Sequence, residues 1–437
     1  MRIQRVLVAG AGLAGLSAAN QLAEAGIAVT VVEARDRLGG RAWTIHHPFV
    51  DGAFGELGAE FIDDDHPRMR RLAKRLGVET VRVLKGGFTQ RYRDEAGSFE
   101  LRRTSGWAEL GKALAPLVHE YDAAHGASDS DRVRELSTYS VKDWLRQSNA
   151  PAHVQKMAEV MRGFFLADPD DLSALPLAAE LSQGDAAIRT PMHRIVGGTG
   201  RLVTALATAT NARWILNHRL RAITQTVDGV VAEIADESNR LQQIEADAAV
   251  ITLPATTLRD VIVTPSLPED QWHAVRSLLY GCATKGVIQT SADVFGGRPA
   301  RAFATDMAAG AFWDAAEGQP AGTAIISFLA GGAASSQLTE RLRESADVLL
   351  SDLCWLARGG ESPRAVASAH WRWEHDPLAR GGYAYIDPGF DAGWLPLLGR
   401  RAGRLVFAGE HTSADHQGYM EGAVDSADRV VRELLSA

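Results

Sequence analysis

A glycine-rich turn between a buried strand and a helix constrains the fold of this chain more than any other feature. The stretch "VLVAGAGLAGLSAANQLAEAG" (residues 6–26) contains an apolar strand, then the turn G-x-G-x-x-G made by Gly10, Gly12 and Gly15, then a helix of small residues. The following "IAVTVVEA" predicts a second strand, so the three elements form a β-α-β unit. Parallel strands joined in this way predict a doubly wound α/β sheet.

The turn has the features of a dinucleotide site. Its glycines let the backbone approach a pyrophosphate closely, and the helix that follows offers N–H groups without intrahelical partners. Glu33 ends the second strand, where a carboxylate can bind ribose hydroxyls. These residues are compatible with NAD and with FAD. The next segment, "RDRLGGR", adds the pair Gly39-Gly40 and Arg41, a second close backbone approach and a cation for diphosphate charge, which plain nicotinamide dehydrogenases do not need.

Strand-rich segments recur in the middle and at the end of the chain, whereas residues 63–190 follow a mostly helical pattern. The pair Asp228-Gly229 between two strands predicts a hairpin. We therefore predict two interleaved domains. The nucleotide domain comprises residues 1–75, 196–276 and 375–437, and the substrate domain comprises residues 76–195 and 277–374.

Composition excludes several other classes of protein. The net charge is −8 and the pI is about 5.9, without a basic stripe, so we expect no nucleic-acid partner. Cys282 and Cys354 lack metal-ligand spacing, which favours a reducing compartment and no metal site. We find no leader sequence and no apolar run approaching about 18 residues, so we expect a cytoplasmic protein without membrane contact.

Five motifs carry a resemblance to a known family. The segment "EARDRLGGRAWT" followed by "GELGAEFI" resembles the flavin-containing amine oxidase family (monoamine oxidase and polyamine oxidase type). The motifs "RIVGGTGRL", "WEHDPLARGGYAY" and "FAGEHT…GYMEGAVDSA" continue the resemblance nearly to the end of the chain. It implies FAD as the cofactor, and a fold in which an FAD-binding Rossmann-like domain of the GR2 type is interleaved with an α+β substrate domain.

The resemblance also assigns cofactor contacts. The residues expected to bind FAD are Gly10, Gly12, Gly15, Glu33, Ala34, Arg35, Gly40, Arg41, Gly58, Ala59, Glu60, Leu220, Gly409, Glu410, Met420 and Ala423. Covalent members of the family carry a cysteine immediately before the first tyrosine of their substrate site. Gly382 stands there in this chain, so we expect the FAD to be non-covalent.

Four residues match the family's catalytic positions. Tyr383 and Tyr419 match two aromatic walls over the flavin, and Trp373 keeps its family spacing from Tyr383. Such rings can draw in an amine through their electron-rich faces and can exclude water from the reacting C–H bond. Lys285 matches a lysine that holds a water against flavin N5 and assists the reaction with oxygen.

These assignments predict oxidation of a small amine to an imine, which hydrolyses to an aldehyde or ketone, while O2 is reduced to H2O2. One alternative is an L-amino acid oxidase, although Phe61 stands where that branch places its carboxylate-binding arginine. Another is an FAD-dependent desaturase or porphyrinogen-type oxidase, against which the tyrosine pair and Lys285 argue. Phe164, Phe165 and Trp313 are candidates for the pocket wall, and core packing explains them equally well. The sequence leaves open which amine is oxidised, the oligomeric state, and whether O2 is the physiological acceptor.

Overall fold

The computed structural model describes residues 3–91, 106–182, 192–297, 300–320, 322–356 and 363–436. The helices are α1 (Leu13–Glu24), α2 (Pro67–Arg75), α3 (Gly106–Ala123), α4 (Asp131–Ser137), α5 (Val141–Gln147), α6 (Ala152–Met157), α7 (Arg162–Phe165), α8 (Leu175–Ser182), α9 (Thr199–Thr208), α10 (Ala255–Leu258), α11 (Glu269–Ser277), α12 (Gly332–Leu342), α13 (Asp347–Asp352), α14 (Leu395–Leu398) and α15 (Met420–Leu435). Short 3-10 helices lie at Ala158–Met161, Cys354–Leu356, Trp373–His375, Ala392–Trp394 and Glu410–Thr412.

The strands are β1 (Arg5–Ala9), β2 (Ala28–Val32), β3 (Thr44–Ile45), β4 (Gly55–Glu56), β5 (Ile62–Asp63), β6 (Thr80–Val83), β7 (Thr89–Arg91), β8 (Met192–Ile195), β9 (Ala212–Ile215), β10 (His218–Gln225), β11 (Val230–Asp236), β12 (Leu241–Ala246), β13 (Ala248–Ile251), β14 (Ile262–Thr264), β15 (Leu279–Tyr280), β16 (Ala283–Thr290), β17 (Ala302–Thr305), β18 (Ala311–Asp314), β19 (Ile325–Gly331), β20 (Ala365–Arg372), β21 (Ala384–Tyr385) and β22 (Leu405–Phe407).

A five-stranded parallel sheet in the order β22-β13-β1-β2-β9 forms the first domain's centre. Its strands come from the start, the middle and the end of the chain, as the interleaved organisation predicts. Successive residues of β1 alternate between two cores: Val6 and Val8 pack with helices α1, α9 and α15, whereas Leu7 and Ala9 pack on the opposite face. The predicted β-α-β unit is therefore present, with β1 and β2 in parallel register.

A second sheet, rather than further helices, covers most of that opposite face. Strands β10, β11 and β12 form an antiparallel meander, to which β14 adds in parallel. The hairpin predicted at Asp228-Gly229 is the turn between β10 and β11. Apolar side chains such as Ile223 and Ile234 from this sheet pack against the parallel sheet. The doubly wound expectation is thus correct for the strand arrangement, and one of the two covering layers is β-structure.

The remaining residues build a six-stranded sheet in the order β20-β16-β19-β18-β17-β7, beside a cluster of helices α3 to α8. The mostly helical expectation for residues 63–190 is wrong for β6 and β7, whose short β-branched stretches find partners distant in sequence. The chain breaks between α12 and α13, where Asp347 N, at the start of α13, donates a hydrogen bond to the Ser345 hydroxyl at 3.1 Å.

Within the described ranges, no helix is both long enough and apolar enough to cross a lipid bilayer.

Close packing at the glycine turn generates a stability prediction. A Cβ atom at Gly15 would lie 2.0 Å from the Gly10 carbonyl oxygen and 2.9 Å from Thr252 Oγ1. Because backbone cannot move aside cheaply, we expect Gly15→Ala to lower the free energy of unfolding by about 2 kcal/mol or more, measured by denaturant titration. Gly86→Ala is the matched control, since a Cβ there meets no atom within 4 Å. Equal stability of the two variants would contradict this packing.

Candidate functional site

The glycine turn forms one end of a cleft. Gly10 adopts a φ of +101°, which L side chains rarely adopt, and Gly12 begins α1 without any side-chain cap. The Glu33 carboxylate accepts hydrogen bonds from Ala11 N at 2.7 Å and Arg35 N at 2.9 Å. The start of α1 therefore presents backbone donors and a partial positive charge to the cleft, and Glu33 is fixed beside them.

The cleft encloses about 770 Å³ of space, open to solvent, and brings distant predicted residues together. The predicted cofactor-binding residues that line the cleft are Gly10, Gly12, Glu33, Ala34, Arg35, Gly40, Arg41 and Leu220. A Cβ at Gly12 would meet no atom within 4 Å and would enter this space. The N–H groups at the start of α1 and the glycine surface fit the diphosphate of a dinucleotide, and the fixed carboxylate of Glu33 fits its ribose.

Arg41 and Glu410 connect the glycine turn to the last sequence motif. Arg41 Nη1 donates to Glu410 Oε1 at 2.9 Å and to the Gly382 carbonyl at 2.6 Å. The other Glu410 oxygen accepts from Gly418 N at 2.8 Å. Three of the predicted motifs, far apart in sequence, thus meet at one ion pair. Met420 and Ala423 lie directly beyond it in the first turn of α15, and Gly409 precedes Glu410 with a φ of +138°.

Two arginines near the cleft behave differently from each other. Arg35 makes a bidentate pair with Asp376, at 2.9 and 2.7 Å, so its guanidinium is used within the protein. Arg37, which the sequence motifs did not single out, stacks on Trp43 at 4.2 Å, and its Nη2 has no hydrogen-bond partner among the described residues. Burial, and then the neighbouring Arg35, lower the pKa of Arg37 to about 10. An incompletely paired cation in this place suits an anionic ligand.

The segment 57–61 is anchored beside the aromatic residues. Trp373 is buried and donates from Nε1 to the Leu57 carbonyl at 2.7 Å. A Cβ at Gly58 would lie 1.8 Å from the Arg41 carbonyl oxygen, so this backbone runs directly against the glycine pair of the first motif. Trp373 therefore positions the segment that contains Gly58, Ala59 and Glu60.

Tyr383 and Tyr419 come together around Gly418. The Tyr383 hydroxyl donates to the Phe164 carbonyl, and a Cβ at Gly418 would lie 3.3 Å from the Tyr383 ring. Tyr419 follows Gly418 as the N-cap of α15, and its ring centroid lies 5.1 Å from that of His66. The Tyr419 side chain is 43% exposed, so its ring is accessible from outside the protein.

Carboxyl groups face this tyrosine pair. The charge of Glu180, on α8, and then burial raise the pKa of Tyr419; burial, Glu410 and Glu180 raise that of Tyr383. Burial and the neighbouring Asp63 and Asp65 raise the pKa of Glu180 to about 7. Glu180 has no ion pair or hydrogen bond within the described part of the chain. The space beside the tyrosines thus becomes negatively charged above about pH 7, where Glu180 ionises, a feature that sequence reasoning missed because α8 carries no motif.

Asp63 and Asp65 lie near the His66 ring, with one ligand atom of each residue within 4.8 Å of the others. Burial, then Asp65 and Asp64, raise the pKa of Asp63 to about 7, and burial lowers the pKa of His66. Below about pH 7 the carboxyl groups of Asp63 and Glu180 therefore keep their protons; above that pH they are negatively charged, and the neutral imidazole of His66 does not compensate them.

Lys285 lies inside a buried strand. It is the third residue of β16 and is 5% exposed. Its Nζ donates to Glu60 Oε2 at 2.6 Å and to the Gly58 carbonyl at 3.1 Å, and lies 4.6 Å from the Trp313 ring. Lys285 is therefore directly against the segment 58–60, as its predicted role requires.

Aromatic rings form a wall beside Glu60. The Phe61 ring lies 5.3 Å from Trp313 and 6.5 Å from Phe88, and Phe88 lies 5.0 Å from Phe164. Two of the three sequence candidates for the pocket, Phe164 and Trp313, thus belong to this wall. Phe165 packs against the helical core instead.

The comparison with protein families decides the class of protein. The family model for flavin containing amine oxidoreductases matches residues 13–435. The chain belongs to this family. It is therefore a flavoprotein oxidoreductase that acts on amines, and the fold class predicted from the sequence is confirmed.

Relatives and solved structures agree with this membership. An L-amino-acid oxidase of Siganus canaliculatus is 28% identical over 459 residues, covering 98% of this chain and 85% of that protein. The structure of cyclohexylamine oxidase from Brevibacterium oxydans superposes with a TM-score of 0.86 at 21% identity, covering 100% of this chain and 99% of the other. Putrescine oxidase bound to putrescine superposes with a TM-score of 0.85 at 20% identity, covering both chains completely. At these identities the two structures show that the fold is shared.

The open space in front of Gly12 leads to a prediction about flavin binding. We expect Gly12→Ala to keep the stability of the folded protein, because its Cβ meets no protein atom, but to weaken flavin binding at least about tenfold, because the methyl group enters the cleft. The measurement is flavin retained after dialysis, followed by absorbance, with Gly86→Ala as control. Full retention in Gly12→Ala would show that the cofactor does not lie against this turn.

Proposed function

We propose that this protein binds FAD non-covalently and oxidises a small amine that carries no carboxylate, with O2 as the electron acceptor. The observation that supports this most strongly is the pair Tyr383 and Tyr419 beside the uncompensated carboxyl group of Glu180. The proposed partners are thus a small-molecule amine and O2. A cytoplasmic location and the domain boundaries given above stay predictions from the sequence.

The cleft supports FAD as the flavin. It extends from the N–H groups of α1 to Arg41, whose carbonyl packs against Gly58, and a site that continues along the segment 58–60 suits a dinucleotide better than a flavin mononucleotide. Glu33 is positioned for ribose hydroxyls at one end, and Arg41 and Glu410 meet midway. Gly382 offers no thiol for a covalent bond in front of Tyr383.

The chemistry follows from the class of cofactor. A flavin held by these residues would supply the two-electron oxidation of the amine. The amine loses two electrons and two protons, so its C–N single bond becomes an imine, which water hydrolyses to an aldehyde or ketone and ammonia or a smaller amine. The same two electrons and two protons would reduce O2 to H2O2. The tyrosine rings hold the amine and keep water from the reacting carbon, and Lys285 supplies a positive charge where oxygen is reduced.

Charge at the site favours an amine over an amino acid. An amino acid brings a carboxylate next to the reacting carbon, and Glu180 and Asp63 face the tyrosine pair without a compensating cation in the described residues. Above about pH 7, where Glu180 and Asp63 are ionised, like charges brought together in a partly buried site repel strongly. An amine whose other groups are apolar or positively charged is not repelled in this way. The aromatic wall of Phe61, Phe88 and Trp313 suits an apolar group of the substrate.

Oxidation of L-amino acids is the second candidate, and two observations favour it. The L-amino-acid oxidase of Siganus canaliculatus covers nearly this whole chain. The guanidinium of Arg194 also lies 5.4 Å from the ring of Phe61, the residue at the position of the carboxylate-binding arginine. Arg194, however, already pairs with Glu60 at 2.7 Å, so its charge is not free for a substrate.

A matched pair of substrates separates the two candidates. We expect the wild-type enzyme to release H2O2 with an alkylamine at a kcat/KM at least about a hundredfold above that for the L-amino acid with the same side chain, since the carboxylate is repelled. Glu180→Gln should lower this ratio of kcat/KM values by about tenfold, because loss of the carboxylate raises kcat/KM for the amino acid. Glu159→Gln, on the neighbouring 3-10 segment, is the control. A wild-type preference for the amino acid would refute the proposal and support the second candidate.

The pH dependence tests the form of the amine that reacts. Free alkylamines have pKa values of about 10, and only the neutral form can lose a hydride from its carbon readily. We therefore expect kcat/KM to rise about tenfold per unit from pH 7 to pH 9, because each unit raises the neutral fraction tenfold. A flat profile over this range in steady-state assays with an alkylamine would contradict a neutral-amine mechanism.

A further inference from the structure

Arg194, the first residue of the motif "RIVGGTGRL", is an almost completely buried arginine to which the sequence analysis assigned no role. It lies on β8 and is 2% exposed. Its Nη1 donates to the Glu317 carbonyl at 3.1 Å and its Nη2 to the Asp314 carbonyl at 3.4 Å, so the substrate-side sheet fixes the guanidinium in place. A buried charge is costly unless it is paired, so a partner is required.

That partner is Glu60. Arg194 Nη2 lies 2.7 Å from Glu60 Oε1, which also accepts a hydrogen bond from Trp313 Nε1 at 3.0 Å. Oε2 of Glu60 accepts from Lys285 Nζ at 2.6 Å. Burial alone would raise the pKa of the Glu60 carboxyl, but Lys285 and Arg194 outweigh burial and hold it below its ordinary value. Glu60 is therefore ionised, and both of its oxygens are occupied.

The arrangement leaves Lys285 incompletely used. Its ammonium has three N–H donors, of which one points to Glu60 and one to the Gly58 carbonyl. Arg194 compensates part of the negative charge of Glu60, so two cations, Arg194 and Lys285, share one carboxylate. The next carboxyl group, Glu56, has its pKa raised to about 7, chiefly by burial, and adds little negative charge below that pH.

We propose that Arg194 is a positioning residue for Lys285. By pairing with Glu60, Arg194 keeps the Lys285 ammonium in a fixed orientation with one N–H free. The pairing also leaves an excess positive charge for the reduction of oxygen. This inference rests on the proposed flavin site beside the segment 58–60. Without Arg194, Glu60 would pair with Lys285 alone, and the two charges would cancel. A positive charge held in place in a water-poor site stabilises negative charge that develops on oxygen and on the reduced ring.

The test uses the holoenzyme reduced by light, without any amine, at pH 6. Two quantities are measured: the rate of reoxidation by O2 and the midpoint potential of the bound flavin. We expect Arg194→Met to slow reoxidation at least about tenfold and to lower the potential, whereas Arg194→Lys stays within about threefold of wild type. Arg82→Met, an exposed arginine on the adjacent strand β6, is the control and should change neither quantity.

Two further variants distinguish positioning from a merely structural role. Glu60→Gln removes the negative charge, so we expect it to raise the potential, opposite in sign to Arg194→Met. In a Lys285→Met background, Arg194→Met should slow reoxidation by less than about twofold, because its effect acts through Lys285. Wild-type reoxidation and potential in folded Arg194→Met would overturn the inference. If that variant does not fold, the absence of a raised potential in Glu60→Gln would overturn it.

Because no amine is present, these measurements separate the inference from the proposed function. Failure of the enzyme to oxidise amines would leave the reoxidation rate and the potential measurable and their expected changes intact. Conversely, amine turnover with unchanged values in the Arg194 variant would contradict the inference alone.

Discussion

The Glu60 carboxylate accepts hydrogen bonds from two side chains and forms an ion pair with a third, and all three come from separate parts of the chain. Lys285 lies on β16, Arg194 on β8 and Trp313 on β18, while Glu60 itself follows the segment packed against the glycine pair of the first motif. A carboxylate taken out of water must be compensated, so these elements can only pack together when all three donors are in place. The ionised Glu60 therefore joins the nucleotide-binding and substrate-side sheets at the point where the flavin ring is proposed to lie.

Local patterns in the sequence were sufficient for the first domain. The turn from Gly10 to Gly15 requires glycine because of its φ angles and close contacts, and the strand and helix around it have clear periodicity. Such signals lie within a short window and are therefore readable. Arg41 and Glu410 were both expected to contact the cofactor from the family resemblance alone, because local patterns cannot bring together residues so distant in sequence; the structure shows that they form an ion pair.

The charged groups around the tyrosine pair could not be read in the same way. Arg194 begins the motif "RIVGGTGRL", but the motif does not reveal its partner, and Glu180 looks like a residue on the polar side of a helix. Their roles depend on burial and on partners more than a hundred residues away, which no periodicity encodes. Lys285 illustrates the same limit: its strand, β16, is buried along its whole length, so a position that seemed near solvent is interior.

Substrate choice in this family member is thus an electrostatic question. Arg194 lies over Phe61 but is neutralised by Glu60, and Glu180 faces the tyrosines without a counter-ion in the described residues. The most direct test is to mix the yellow protein with an alkylamine in the absence of oxygen and to follow the oxidised-flavin absorbance band. The account predicts that the band bleaches and returns when air is admitted. A band that bleaches only with L-amino acids, or with neither class of compound, would contradict it.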